Sequence, residues 1–300
     1  MKRPCLIIFI AALLTPSTML ACACGCSVFS VGMRGTMPSA PGFSAYLHYN
    51  YMDQNRNWGS WNTASPDLNA DQEIRTSFYT VGLQFMSNAE WGINVEAPVW
   101  DRYFRTIDDD GNTETTQHTS MGDIRVMGMY TGLTGDMSTG LQLGFKLPTG
   151  SFTLDGLDRD TQIGSGTTDV LLGAYKRFQE NGWGWDAQVA WQHALNTRDG
   201  YRPGDSFDAN LAVHYDNLVQ DFHVIPVLQF VASFRAIDSG ENSDPDNTGY
   251  QRIYLSPGIE VVVTNHLRFY TDIRIPLMTH VRGYQLVAPS LASLSVGYSF

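Results

Sequence analysis

Charged residues alternate with apolar ones in several segments, and this spacing suits the polar wall of a solute path. From 267 to 277, for example, Arg268, Asp272 and Arg274 share one face of an extended strand, and the other face is largely apolar. Eight charged residues of both signs are assigned to this polar face: Glu96, Asp123, Arg125, Lys146, Asp169, Arg268, Asp272 and Arg274. The same face is predicted to carry Arg177, Asp208, Glu260, His48, His214 and His223. Such residues can select solutes by charge or form ion pairs that brace the interior, and the sequence leaves both interpretations open.

A short repeat places a proline two residues after a charged residue, at Glu96–Pro98, Lys146–Pro148 and Arg274–Pro276. Proline has no N–H to donate to a neighbouring strand, so these sites predict positions where strand pairing loosens. We expect them to lie near the outer rim, either as a structural rim or as a charged constriction.

The sequence carries no motif of a serine hydrolase, a phosphate-binding loop or a zinc protease, which argues against an enzyme. His118, Ser120 and His280 fall near predicted loops and are the first candidates for a hydrolase site assembled in space, as in barrel phospholipases and proteases. We predict no catalytic residues, no cofactor and no bound metal.

The first 23 residues have the layout of a secretory signal peptide. Lys2 and Arg3 precede an unbroken apolar run from 6 to 14, and small residues around Ala23 form a cleavage site. The run is too short to cross a bilayer as a helix, which takes about 20 residues. The chain is therefore divided into a signal peptide, 1–23, a periplasmic N-terminal segment, 24–40, and an outer-membrane barrel, 41–300.

Three cysteines, Cys22, Cys24 and Cys26, stand at the end of this leader. The spacing is compatible with a strained disulfide or a soft metal, and cleavage before Cys22 would instead produce a lipoprotein. Their role stays open, as does the cleavage position among Ala21, Cys22 and Ala23.

Segments of alternating polarity recur along the rest of the chain, with no sustained helical periodicity. Each is about ten residues long or somewhat more, the length that a tilted membrane strand needs. The predicted strands are 42–52, 74–86, 91–103, 121–133, 139–148, 167–178, 183–195, 207–216, 221–235, 250–263, 267–280 and 291–300. The predicted fold class is all-β, a transmembrane antiparallel up-and-down β-barrel of about 12 strands.

The connections between these strands alternate between short and long. The short ones lie near 87–90, 134–138, 179–182, 217–220 and 264–266. Outer-membrane barrels have short periplasmic turns and long outer loops, whereas a soluble β-sandwich has no reason to sort its connections this way. Aromatic residues flank three of the short turns, as expected at a membrane interface: Phe85 and Trp91, Phe178 and Trp183, and Tyr215 and Phe222.

Charge and the C-terminal sequence indicate the partners. The net charge of −11 argues against nucleic acid, and the acidic loops around 108–110, 155–160 and 238–246 are predicted to be solvated surface. Phe300 follows Tyr298 and Val296 on one face of the last strand, which resembles the terminal aromatic signal read by the barrel assembly machinery. The expected partners are outer-membrane lipid, a small solute of unknown identity, and this machinery through Phe300.

Three glycine-rich stretches resemble an outer-membrane family named for the meta-pathway of phenol degradation. They are Gly122–Arg125 running into Gly128–Tyr130, then Gly144–Gly150, then Thr168–Asp169 with Leu172–Tyr175. The resemblance covers roughly 40–300. It implies a transporter-like barrel without an assigned substrate, and it identifies no site residues to carry over.

Together these features predict a multi-pass protein of the outer membrane of a Gram-negative-type bacterium, exported by its signal peptide. Its expected function is passive transport of small solutes through a channel with a polar interior. Two alternatives stay open: a structural or assembly barrel whose lumen is blocked, with residues 24–40 folding inward as the candidate plug, and an outer-membrane hydrolase.

Overall fold

The computed structural model of the protein describes Phe29, Val31, Gly32, residues 36–108 and residues 110–300. The predicted signal peptide, the three cysteines at its end and much of segment 24–40 lie outside the described residues. The described residues form sixteen strands: β1 (Gly42–Gln54), β2 (Arg56–Gly59), β3 (Asn62–Thr63), β4 (Asp71–Met86), β5 (Trp91–Ile107), β6 (Thr113–Met121), β7 (Arg125–Tyr130), β8 (Thr139–Lys146), β9 (Asp169–Glu180), β10 (Trp183–Ala194), β11 (Ser206–Tyr215), β12 (Val224–Arg235), β13 (Tyr250–Val262), β14 (Leu267–Val281), β15 (Tyr284–Val287) and β16 (Leu291–Ser299).

Twelve of these strands close into an antiparallel barrel. Their order is β4-β1-β16-β14-β13-β12-β11-β10-β9-β8-β7-β5, and pairing between β5 and β4 closes the ring. Closure gives every strand two neighbours, so that backbone N–H and C=O groups are paired within the protein, as a bilayer requires. The predicted all-β barrel of about 12 strands is confirmed.

The outer wall of this barrel is apolar and the inner wall is polar. Leu143 on β8 and Leu277 on β14 point outward, and each is 58% exposed. Arg274 points inward from β14 and is 0% exposed, in the company of many buried polar side chains. This is the reverse of a soluble protein and matches a wall that faces lipid on one side.

The fourth predicted strand, 121–133, is wrong in its boundaries, because the chain leaves the sheet at residues 122–124. β5 pairs with β6 from Val99 onward and with β7 up to Glu96. Between these two pairings, two residues of β5 stand opposite the three residues that join β6 to β7. The pairing of β13 with β14 also shifts next to Pro276, and β8 ends two residues before Pro148. The prolines therefore mark interruptions of pairing, as the missing N–H predicts.

Aromatic rings surround the end of the barrel that carries the short turns. The ring contacts on the outward surface are Phe43 with Phe85, Trp91 with Tyr130 and Trp183 with Tyr215, at centroid distances of 4.9, 4.7 and 4.9 Å. Phe178 and Phe222 add further exposed rings at the same end. Amphipathic rings in this arrangement are typical of a membrane interface.

The turn between β11 and β12 holds one short helix, α1 (Val219–Phe222), where the sequence pattern predicted the start of a strand. His223 follows it with a left-handed backbone (φ 57°) and is exposed, so the prediction that His223 faces the interior is wrong. Among the described residues, no helix has the length and hydropathy needed to cross a membrane.

The long loops lie at the end of the barrel opposite the short turns, which we call the outer end, and they add structure beyond the barrel. β15, β2 and β3 form a small three-stranded sheet, and β6 extends the barrel wall alongside the outer half of β5. These elements frame the outer mouth of the lumen.

Candidate functional site

Part of the N-terminal segment (24–40) lies inside the barrel. The Arg274 guanidinium donates a hydrogen bond to the Val31 carbonyl at 3.1 Å, and the Gly32 N–H donates to Gln188 Oε1 at 3.1 Å. The Phe29 ring lies 5.5 Å from the Phe78 ring, between centroids. Since Val31 is 0% exposed, this part of the segment is enclosed by the lumen rather than placed across its mouth.

The segment leaves the lumen at the end with the short turns. There Arg177, near the end of β9, donates a hydrogen bond to the Pro38 carbonyl at 2.7 Å. Gly32 has a left-handed backbone (φ +79°), and a Cβ at that position would lie 2.9 Å from Gln229 Oε1. The left-handed backbone is the reason that glycine is favoured here, since the end of the Gln229 side chain could move to accommodate a Cβ.

A cavity of about 220 Å³ remains between this segment and the wall formed by β1, β4, β5 and β7 to β11. Phe29 and Thr36 border it on the side of the segment. Aromatic rings form its apolar part, because Phe78 also contacts Trp100 edge-on at 4.9 Å. His48 contributes a buried imidazole whose two nitrogens have no hydrogen-bond partner among the described residues.

The loop between β8 and β9, residues 147–168, folds inward over this cavity; we call it the lid loop. Residues 162–165 line the cavity, and Ile163 is buried. The Arg102 guanidinium on β5 donates hydrogen bonds to the carbonyls of Thr161 and Gln162. Gly150 and Gly164 pack backbone to backbone, since a Cβ on Gly164 would lie 2.3 Å from the Gly150 carbonyl oxygen.

A cluster of Asp123, Lys146 and Asp169 fastens the lid loop to the wall; we call it the Asp–Lys–Asp cluster. The Lys146 ammonium lies 3.2 Å from Asp123 Oδ2 and 2.9 Å from Asp169 Oδ2. Asp123 also accepts hydrogen bonds from the N–H groups of Gly150 and Ser165, at 3.0 and 2.9 Å. The loop is therefore held at both of its ends by charge-assisted hydrogen bonds.

The other five of the eight charged residues assigned to the polar face also form pairs. Arg125 lies 4.0 Å from Glu96, Arg268 lies 2.8 Å from Glu260, and Arg274 lies 3.3 Å from Asp272. Four of the eight are cross-strand neighbours in one row, namely Glu96, Arg125, Lys146 and Asp169. Four line the cavity, namely Glu96, Asp123, Arg125 and Lys146.

Several charged residues at the outer mouth had not been assigned to the polar face from the sequence. Arg102, Arg159, Asp160 and Arg235 line the cavity, and Arg235 lies 2.9 Å from Asp238 Oδ1. Asp238 is buried and Asp160 is half-buried, so the prediction of solvated acidic loops is wrong at these two positions. The loops fold back over the lumen, which their acidic composition does not reveal.

The structure does not assemble the three hydrolase candidates into a catalytic group. His118 Nε2 lies 2.8 Å from the Asp155 carbonyl, and Ser120 Oγ lies 2.8 Å from Ser151 Oγ. His280 lies on β14 and packs against Trp61 with ring centroids 4.2 Å apart. Within the described ranges, no group of three or more His, Cys, Asp or Glu residues is placed to hold a metal ion.

Comparison with solved structures finds the same fold. An outer membrane channel from Pseudomonas putida F1 superposes with a TM-score of 0.69 at 12% identity, covering 90% of this chain and 100% of that chain. The beta domain of the Bordetella autotransporter Brka superposes with a TM-score of 0.51 at 12% identity, covering 87% and 100%. No curated protein matches the sequence.

A family comparison agrees with the resemblance seen in the glycine-rich stretches. Residues 48–285 match the family described as the MetA-pathway of phenol degradation. The matched range runs from the middle of β1 to β15 and includes the lid loop and the Asp–Lys–Asp cluster. The chain belongs to this family.

Proposed function

We propose that this protein is an outer-membrane channel through which small solutes diffuse passively. The observation that carries the proposal is a closed barrel whose outer wall is apolar, whose inner wall is polar, and whose lumen holds a cavity. Residues 1–23 act as the signal peptide that exports the chain. The solute moves along the polar interior and needs no energy source.

The eight predicted charged residues have two roles in this proposal. Glu96, Asp123, Arg125 and Lys146 border the solute path, because they line the cavity. Asp169, Arg268, Asp272 and Arg274 brace the wall and the elements packed against it, each through an ion pair. Since every one of the eight has a partner of opposite charge, their own net electric field along the path is weak, and these eight residues contribute little to selection by charge.

A second candidate function is a barrel that does not conduct, and the enclosed N-terminal segment favours it. Phe29, Val31 and Gly32 occupy the lumen and are held from three sides, by Phe78, Arg274 and Gln188. A segment fixed in this position throughout would leave a structural barrel. The channel proposal requires that this segment move aside when a solute passes.

Single-channel recording in planar bilayers separates the two functions. We expect a small conductance for the mature protein and a larger one for Arg274→Met, which loses the hydrogen bond to Val31 and the contact with the Phe29 ring. Arg268→Met is the matched control, because Arg268 lies on the same strand and pairs with Glu260 away from the segment.

A second variant keeps the test decisive if Arg274→Met does not fold. Phe29→Ala removes a ring from the lumen without changing a residue of the barrel wall, and it should also raise the conductance. Absence of conductance in the mature protein and in both variants, with barrels that are folded by circular dichroism, would establish the blocked barrel instead.

The hydrolase alternative is not proposed for this chain. His118 and Ser120 lie on one strand but bond to different loop residues, Asp155 and Ser151. For a channel, the proposed partners are membrane lipid, a small solute and, through Phe300, the barrel assembly machinery.

A further inference from the structure

Arg159 stands out among the cations of the cavity because of how it is held. It rises from the lid loop, and its guanidinium lies 4.5 Å from the Tyr201 ring centroid and 5.3 Å from that of Phe152. Its Nη2 donates to the carbonyls of Ser165 and Arg198 at 2.6 and 3.2 Å. Two rings and two carbonyls fix the group in one position, so it is preorganised.

The other cations that line the cavity are already engaged. Arg125, Lys146 and Arg235 each have a carboxylate within 4.0 Å, and Arg102 donates to the lid-loop carbonyls and to Thr76. Arg159 has no carboxylate within 4.0 Å in the part of the chain that the structure describes. It is a fixed positive charge without a carboxylate at ion-pair distance among the described residues.

The Arg159 guanidinium also has unused donors. Its Nε and Nη1 are buried and have no hydrogen-bond partner among the described residues. A buried charged group with unsatisfied hydrogen-bond donors is costly, and proteins rarely retain such a group without a use. An oxyanion supplied by a ligand would satisfy these donors.

The neighbouring acids offset this positive charge only in part. Asp199 also attracts Arg159, but it is exposed, so the solvent screens the attraction. Asp123 is neutralised by Lys146 at 3.2 Å. Burial, with the nearby carboxylates of Asp158 and Asp238, raises the pKa of Asp160 well above its usual range, which favours its neutral form. A neutral Asp160 repels an anion less, and it offers a hydroxyl donor of its own.

The rest of the cavity suits the body of such a ligand. Phe78, Trp100 and Phe29 supply aromatic walls in the same space that Arg159 borders. A volume of about 220 Å³ is somewhat larger than an engineered cavity of about 150 Å³ that holds benzene. The space therefore suits a molecule of a single ring with one small substituent.

We infer that Arg159 is the recognition residue of a solute site beneath the lid loop, and that this site takes a small organic acid. The carboxylate of the acid accepts hydrogen bonds from Arg159, and its apolar body lies among the aromatic side chains. This inference rests on the proposed channel function and names the class of solute that such a channel would take.

Three probes of the same ring and size but different charge test the inference: sodium benzoate, benzyl alcohol and benzylamine. Trp100 and Trp191 line the cavity, so tryptophan fluorescence of the detergent-solubilised barrel reports occupancy. We expect benzoate to bind about tenfold more tightly than benzyl alcohol, and benzylamine to bind more weakly than either, since hydrogen bonds to charged groups are the stronger ones.

The variants are Arg159→Gln and, as the matched control, Arg198→Gln. Arg198 stacks on the same Phe152 ring at 5.3 Å but is exposed, and its side chain does not line the cavity. Arg159→Gln should raise the dissociation constant of benzoate about tenfold and leave that of benzyl alcohol unchanged, and Arg198→Gln should change neither. Arg159→Lys, which keeps the charge, should recover part of the loss.

Two results would overturn the inference: equal binding of benzoate and benzyl alcohol by the unaltered protein, or equal binding of benzoate by the unaltered protein and Arg159→Gln. Liposome swelling with neutral sugars then tests the channel separately. Swelling without benzoate preference removes the acid site and keeps the channel. Benzoate preference without swelling or conductance keeps the site and removes the channel.

Discussion

Replacing Lys146 with methionine tests whether the Asp–Lys–Asp cluster fastens the lid loop. The ammonium group is 6% exposed and lies between Asp169 and Asp123 at 2.9 and 3.2 Å. Methionine has a similar length and no charge, so Lys146→Met keeps the packing and leaves two buried carboxylates without their shared cation. The lid loop is tied to one of them, since Asp123 accepts N–H groups from Gly150 and Ser165.

The size of the effect follows from these distances. At an effective dielectric constant of about 20, each contact represents about 5 to 6 kcal/mol of Coulomb energy, most of which is offset by the desolvation of the three groups. Breaking a buried ion pair by removing one partner costs about 3–5 kcal/mol, because the remaining charge is uncompensated. We therefore expect Lys146→Met to lower the free energy of unfolding by about 3–5 kcal/mol.

Urea unfolding in lipid vesicles, followed by tryptophan fluorescence, measures this change. The triple variant Asp123→Asn, Lys146→Met, Asp169→Asn removes all three charges, and it should recover most of the loss. Lys176→Met is the control for lysine removal, because Lys176 on β9 is exposed and should shift stability by no more than about 0.5 kcal/mol. If Lys146→Met unfolds at the same urea concentration as the unaltered protein, or if the triple variant is no better than the single one, the cluster does not act as a fastener.

Three further predictions concern the lipid face, a short turn and the C-terminal strand. Leu143→Arg, on the outward face of β8, should cost about 2–4 kcal/mol of unfolding free energy in vesicles, while Leu143→Ile should cost little. Hydrogen bonds from Ser138 lower the pKa of Asp136 from 3.8 to about 2; the carboxylate therefore stabilises the turn above pH 3.8, and the contribution is lost as the pH falls through about 2. Nuclear magnetic resonance titration checks this value, and Ser138→Ala should raise it. Deletion of Phe300, whose N–H donates to the Phe43 carbonyl at 2.8 Å, should slow barrel assembly, seen as less of the heat-shifted folded band on a gel.

The barrel could be predicted from the sequence because lipid imposes a simple rule. An outward position in a membrane strand must be apolar, so the period of two is written directly into β5, β8 and β14. Predicted and observed boundaries agree within one residue at both ends of β10, 183–195 against Trp183–Ala194. The strand ends shift where other forces act, as at α1, where the chain makes a helical turn before β12.

The outer loops could not be predicted in the same way, because long-range pairing determines their structure. β2 and β15 are four residues each, pair Trp58 with Gln285 across more than two hundred positions, and show no regular alternation. The lid loop contains Asp155, Asp158 and Asp160, which read as solvated surface. Its contacts with Arg102 and Asp123, which are distant in the sequence, hold it inward.

The same limit applies to the charges of the lumen, and it determines where selectivity is to be sought. A strand pattern assigns a residue to the inward face, but it gives neither its height in the barrel nor its partner. The residues with the clearest strand alternation, such as Lys146 and Arg274, are the ones whose charge is neutralised by an ion pair within the protein. Arg159 has no pattern at all, since it sits in an irregular loop, and its charge has no carboxylate partner within 4.0 Å among the described residues. In a barrel whose wall charges are paired, a solute is recognised by groups that the folded loops bring to the mouth, so substitutions in the lid loop should alter selectivity more than charge reversals in the wall.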